Sequence, residues 1–178
     1  VLRARSLRGR VPGIYGYGRI GQELACRLRA FGIGIRYFQR SAGSEPQLRT
    51  ASLRELAAAS DYLLVCTPGG PDTHHAVDAP VLDALGPEGL LVNIARGSVV
   101  DEAALVAALS SGRLGAAALD VFEDEPHVSA VLRELDNAVL SPHVGSFTQE
   151  ARLAMRTLCF DNLRAHFMGR PVLTPVLP

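Results

Sequence analysis

A chain of 178 residues is long enough to bury one good core and short for two. Its 48% apolar and 20% charged residues exclude a disordered chain. No apolar run approaches the roughly 18 residues of a spanning helix, so no membrane partner is expected. The net charge of zero conceals an asymmetry: residues 1–60 carry eleven Arg against three Glu, a balance of +8, and residues 61–178 carry −8. A basic half suits an anionic ligand, and it equally suits an Arg-rich helix surface. The Arg residues are spread over several elements without interleaved aromatics, which argues against nucleic acid. Cys26, Cys66 and Cys159 are widely spaced and form no CxxC pair, as expected of free thiols in a reducing cytosol. The start, VLRARSLRGR, lacks the apolar core of a secretory signal, and without Met it suits a piece of a longer chain.

In chain order, Val11–Tyr15 reads as a first strand that tolerates Pro12 only at its beginning. Gly16-Tyr17-Gly18-Arg19-Ile20-Gly21 follows, then a helix over Ile20–Phe31 and a second strand over Gly34–Phe38. A lone GxGxxG is a weak signal; strand, loop, helix and strand around it give it meaning. Gly16 permits the tight turn, Gly18 lets a pyrophosphate approach the backbone, and Gly21 lets the helix pack on the strand. The N–H groups of Arg19 and Ile20 then face the anion at the helix start. A dinucleotide ligand is expected. After the second strand, Gln39 stands where an NAD-specific site carries an acid for the ribose hydroxyl. With no carboxylate there, Arg40 can pair with a 2′-phosphate and Ser41 can donate to it, which favours NADP(H) over NAD(H). The competing possibility is an exposed loop Arg, with cofactor choice set elsewhere.

The pattern continues with a helix over Leu53–Ala59, N-capped by Ser52, a strand over Tyr62–Cys66 and a helix over Ala79–Leu85. A strand over Leu90–Ile94 and a helix over Glu102–Ser111, capped by Asp101, come next. Strands over Ala116–Val121 and Ala138–Leu140 precede a last helix from Gln149 to Phe167 and the tail GRPVLTPVLP. The strands are mostly continuously apolar, as expected where both faces of a sheet are covered. Alternating strands and helices predict an α/β fold, a Rossmann-type doubly wound parallel sheet. The expected division is a nucleotide-binding domain over residues 1–145 and a C-terminal helix and tail over 146–178.

Three longer motifs add chemistry: LVNIARGSVVDE from Leu91, ALDVFEDEP from Ala118 and LSPHVGS from Leu140. Together they resemble the D-isomer-specific 2-hydroxyacid dehydrogenases, over a span from about Ser6 to the C-terminus. The run PGGPDTHH from Pro68 and the ending LTPV look most like the glyoxylate/hydroxypyruvate and hydroxyphenylpyruvate reductase branch, which commonly uses NADPH. The resemblance implies Arg96, Glu125 and His143 as catalytic residues. It also implies Asp120 as a contact to the nicotinamide carboxamide, and Thr67 and Pro68 as a wall of the adenosine pocket. These residue types suit the reduction of a 2-keto acid. An imidazole titrates near neutral pH and can deliver the proton; a neighbouring carboxylate favours its charged form; a guanidinium fork stabilises developing negative charge. Taken singly, each of the three would read as an ordinary loop residue. His74, His75, His127 and His166 read as structural, and no ligand spacing supports a metal.

The family pattern further implies a second lobe, absent from this chain, against which the C-terminal helix normally packs. A homodimer formed through the nucleotide-binding domain and a small 2-keto or 2-hydroxy acid substrate complete the expectation. The rival is a non-catalytic dinucleotide-sensing module of the corepressor type, which keeps the same fold and motifs. Formate or phosphite dehydrogenases fit the motifs less well.

Overall fold

The computed structural model describes residues 6–41 and 43–175; most of the basic start and Val176 of the LTPV ending lie outside these. Six strands are described: β1 Pro12–Tyr15, β2 Arg36–Phe38, β3 Tyr62–Val65, β4 Leu90–Asn93, β5 Ala116–Leu119 and β6 Ala138–Leu140. They form one sheet, parallel throughout, in the order β2-β1-β3-β4-β5-β6. Ile14 in β1 pairs with Tyr37 on one side and Leu64 on the other, so the chain reverses its direction of travel across the sheet between β1 and β3. Such a switch point leaves a crevice at the C-terminal strand ends. Pro12 is the first residue of β1, as its missing N–H requires.

The helices are α1 Arg19–Ala30, α2 Leu53–Ala58, α3 Ala79–Leu85, α4 Glu102–Ser110, α5 Ala130–Glu134 and α6 Gln149–Phe167. Ser52 caps α2 by accepting from Glu55 N (3.1 Å), while the Glu55 carboxylate accepts from Ala51 N (3.0 Å). Asp101 caps α4 through Ala104 N (2.9 Å). Asp78 does the same for α3 through Val81 N (3.1 Å). Each such cap satisfies an N–H that the helix leaves without a partner and stabilises it by about 1 kcal/mol.

Most expected elements form within one or two residues of their expected ends, and the departures that matter for the site and the core are these. β4 ends at Asn93 and β5 at Leu119, so Ile94, Asp120 and Val121 lie beyond the sheet rather than in it. α5 was not expected, because five residues are too few to show a helical period; it buries Leu132. The sheet faces are also unequal. In β3, β4 and β5 alternate residues are buried (Leu63 and Val65, Leu91 and Asn93, Ala117 and Leu119), and their neighbours are only half-buried. One face packs its core against α2, α3 and α4 through Leu56, Leu82 and Leu105. The other holds a smaller cluster in which Ile14, Ala25 and Tyr37 pack with Leu24, Leu28 and Leu64. Continuously apolar strands thus do not here mean two equally covered faces.

The chain divides into two compact units, one ending at Pro142 and holding the sheet, the other beginning at His143 and holding α6. The sequence expectation placed this division after residue 145. Within the second unit, Thr148 caps α6 through Ala151 N (3.1 Å), and Asn162 exchanges hydrogen bonds with Thr174 (2.9 and 3.1 Å), folding the tail back on the helix. No helix among the described residues is long and apolar enough to cross a membrane.

Candidate cofactor and active site

The glycine-rich loop leaves β1 at the switch point. Gly16 has φ +96°, and a Cβ there would stand 2.6 Å from the Thr67 nitrogen, so the loop is pressed against the start of the β3 exit. Gly21 lies under the Gly16 carbonyl, where a Cβ would collide, and this fixes the close approach of α1 to β1. Gly18 is different. Nothing lies within 4 Å of where its Cβ would be, and as the N-cap of α1 it offers no side chain to the first turn. The start of α1 therefore opens on a cleft of about 660 Å³ lined by Gly18, Arg19, Ile20, Thr67, Pro68 and Arg96. Helix N–H groups without an internal partner, at the positive end of a twelve-residue helix, suit an anion.

Cys66 lines the same cleft; burial pushes its thiol up to about 11, so at neutral pH it stays protonated and unreactive. Tyr15, unusual beside such a loop, is buried against Phe38, and burial raises the pKa of its hydroxyl.

Arg96 owes its place to a residue that sequence reasoning passed over. Asn93, at the end of β4, is only 1% exposed. Its Oδ1 accepts from Ala95 N (3.0 Å) and its Nδ2 donates to the Arg96 carbonyl (3.1 Å), bending the loop so that Arg96 emerges at the cleft. Gly69 packs against the Arg96 stem, and Gly97 abuts the Phe122 backbone so closely that any Cβ would overlap it. A polar residue closing the apolar run Leu90–Val92 was the available signal.

Asp120, just past β5, is 92% buried: its exposure is 8%. Ser141 donates its hydroxyl to Asp120 Oδ1 (2.6 Å), and Asp120 N donates to the Asn93 carbonyl (3.0 Å). Glu125 sits in the exposed turn after Val121, with Oε1 accepting from Phe122 N (3.0 Å). That turn is tied down further by Glu123, which pairs with His75 and whose N–H donates to Glu102 (3.1 Å). No ligand spacing along the chain points to a metal, yet the fold brings ligand atoms of His74, His75 and Glu123 within 4.8 Å of one another. The His75–Glu123 hydrogen bond links the segment after β3 to the turn that carries Glu125. His143 opens the second unit, exposed and with φ +52°, a left-handed backbone that few non-glycine residues adopt.

The candidate 2′-phosphate residues lie at the end of β2, apart from those that line the cleft. The Gln39 carbonyl accepts from Arg49 (2.9 and 3.1 Å), and so does the Arg40 carbonyl (3.1 Å), which secures the backbone. Ser41 is exposed. Glu45 anchors the far end of this loop to the glycine-rich segment. Tyr17 Oη donates to it (2.5 Å) and Arg29 pairs with it (2.5 Å), and the two hold its carboxyl below the usual range. The sequence expectation concerned a carboxylate at the end of β2. β2 itself carries none, but Asp72, from the turn after β3, pairs with the Arg40 guanidinium at 2.6 Å.

A parallel sheet with a glycine-rich loop and an uncapped helix at its switch point defines a dinucleotide-binding fold. The chain belongs to the D-isomer specific 2-hydroxyacid dehydrogenase family: residues 1–145 match its NAD binding domain. It is 51% identical over 170 residues to a hydroxyphenylpyruvate reductase of Plectranthus scutellarioides, covering 95% of this chain and 54% of that protein. It is 49% identical over 170 residues to a glyoxylate/hydroxypyruvate reductase of Arabidopsis thaliana, with the same coverage. Among solved structures, an NADPH-dependent glyoxylate/hydroxypyruvate reductase of Sinorhizobium meliloti, in complex with NADP and malonate, superposes with a TM-score of 0.93 at 48% identity. That match covers 96% of this chain and 54% of the other. The chain thus spans about half the length of the relatives it matches.

Proposed function

We propose that this chain is the cofactor-binding part of an NADPH-dependent reductase that converts a small 2-keto acid, of the glyoxylate or hydroxypyruvate kind, to its D-2-hydroxy acid. The observation that carries this is the single cleft onto which both the uncapped start of α1 and Arg96 open. The relatives named above are reductases, which favours the enzyme over a corepressor-like module. Gly16, Gly18, Arg19, Ile20 and Gly21 would hold the pyrophosphate, Thr67 and Pro68 the adenosine, and Asp120 the carboxamide. The reduced nicotinamide supplies the hydride when bound. Arg96 binds the carboxylate or carbonyl oxygen of the keto acid and stabilises its developing charge. His143 delivers the proton, and Glu125 is the third catalytic residue that the family pattern assigns. The test is NADPH oxidation by the full-length protein against a panel of 2-keto acids. Turnover with none of them would overturn the proposal.

The cofactor preference rests on Gln39, Arg40 and Ser41. NADPH should bind the full-length protein more tightly than NADH, and Arg40→Ala should remove most of the difference. A charge-assisted hydrogen bond is worth roughly 1.5–3 kcal/mol, hence about 10- to 150-fold in affinity. Equal affinities in the unmodified protein, measured by calorimetry, would refute the preference. We also propose, on family resemblance, that the protein forms a two-fold dimer. Light scattering should give a dimer mass, and a monomer at high micromolar concentration would count against it.

A further inference from the structure

The Arg40–Asp72 pair has no role in building the sheet. Both side chains are well exposed, at 63% and 70%, so the pair adds little to stability. Its position is more telling. Arg40 follows β2 and Asp72 belongs to the turn after β3, and these two strands flank β1 on either side. The ion pair therefore links the two banks of the crevice, beside the strand end from which the glycine-rich loop departs. In this fold the end of β2 is where the adenosine ribose is read.

The Asp72 turn is rigidly placed. Gly70 has φ +148°, Pro71 begins the turn, and the buried Thr73 hydroxyl bonds back to the Pro68 carbonyl (2.8 Å) and that of Gly70 (3.2 Å). The same short segment carries Pro68 of the cleft wall. Across from it, Arg49 fixes the backbone carbonyls of Gln39 and Arg40. Only the long Arg40 side chain is left to move between partners.

We infer that Asp72 is a specificity-determining residue that limits the preference for NADPH by competing with the 2′-phosphate for Arg40. The inference rests on the assignment of Arg40 as the 2′-phosphate ligand. To engage that phosphate, Arg40 must leave Asp72, and the phosphate must then sit near a carboxylate of like charge. NADH brings no phosphate and needs no exchange, so its affinity does not depend on the pair. Asp72 thus narrows the gap between the two cofactors. An acid at the end of β2 would face the ribose directly and exclude the phosphate; an acid on the opposite bank only moderates it.

The prediction is read by calorimetry on the full-length protein, comparing wild type, Asp72→Asn, Arg40→Ala and the double variant with NADPH and NADH. Asp72→Asn preserves the size of the side chain and removes its charge. It should tighten NADPH binding about 3- to 20-fold: up to about fivefold from releasing an exposed ion pair, and a similar factor from removing the like charge. NADH affinity should stay within about twofold. In the Arg40→Ala background the gain should shrink, because no ion pair remains to be released. Asp72→Ala serves as a second variant, and thermal melts confirm that each protein is folded. Weaker NADPH binding in Asp72→Asn, or an equal gain for both cofactors, overturns the inference. So does an unchanged ratio while Arg40→Ala still weakens NADPH. If Arg40→Ala changes neither affinity, the parent assignment of Arg40 has failed, and the inference falls with it.

Discussion

Gly97→Ala should destabilise the full-length protein by about 3 kcal/mol and lower its turnover, while Gly18→Ala should fold normally and lose cofactor. The two glycines stand in opposite surroundings. A Cβ on Gly97 would overlap the Phe122 carbonyl group and press on the Glu123 nitrogen, all of it backbone that cannot swing aside as a side chain would. Forcing atoms into such a contact typically costs 1–3 kcal/mol, and the upper end applies to a rigid neighbour. The strain would be relieved by displacing the loop that carries Arg96 or the turn that carries Glu125. A shift of about 1 Å in a positioning loop can cost about 10²-fold in rate. A Cβ on Gly18 meets nothing within 4 Å and sits at an ordinary φ of −80°. It would project into the space where a pyrophosphate must approach. Urea unfolding and calorimetry with NADPH separate the cases. A Gly97→Ala protein with wild-type midpoint and turnover would remove the Gly97–Phe122 contact from the account. Undiminished NADPH affinity in Gly18→Ala would remove the loop from cofactor binding.

Which features were legible in the sequence follows from the range of the forces involved. Gly16 and Gly21 could be read in advance because each answers a local constraint, a turn in one case and a packing distance in the other. The caps at Ser52 and Asp101 were legible for the same reason, since a cap bonds three residues ahead. Strand ends were less so. Val121 carries the apolar character of β5, yet β5 stops at Leu119, because its registers with β4 and β6 both close there, at Asn93 and at Leu140. The unequal sheet faces were hidden because Leu64 and Val92 are as apolar as Leu63 and Leu91, and hydropathy does not say which of them a helix covers.

Within the site, residue types were visible and their supports were not. Arg96 stands in its motif, but nothing local beyond its polarity marks Asn93, the last residue of β4, as the group that bends its loop. Asp120 belongs to a motif, but the hydrogen bond that Ser141 donates to it joins residues from two different motifs and leaves no local signal. The Arg40–Asp72 and His75–Glu123 pairs join residues distant in the chain. Only the packing of β2 beside β1, and the return of the chain after β3 and β5, brings them together. Side-chain pairs of this kind leave no periodic trace.

His143→Ala should lower turnover of the full-length protein by about 10²–10⁴-fold, the usual range for losing a general acid, with NADPH affinity nearly unchanged. Reduction of a keto acid takes up a proton, so the donor must carry it when the hydride arrives. A histidine donor makes the rate of reduction fall as pH rises through the neutral range, where imidazole gives up its charge. The backbone at His143 offers a sharper control. At φ +52° the residue holds a left-handed conformation that alanine adopts reluctantly, so part of any loss in His143→Ala could come from a displaced loop. Asparagine tolerates that conformation far better and keeps a hydrogen-bonding side chain, but it cannot donate a proton as an acid near pH 7. His143→Asn should therefore match the wild type in thermal stability and still be as slow as His143→Ala, with the pH-dependent limb abolished. If asparagine restores turnover, His143 shapes the loop and the proton comes from elsewhere.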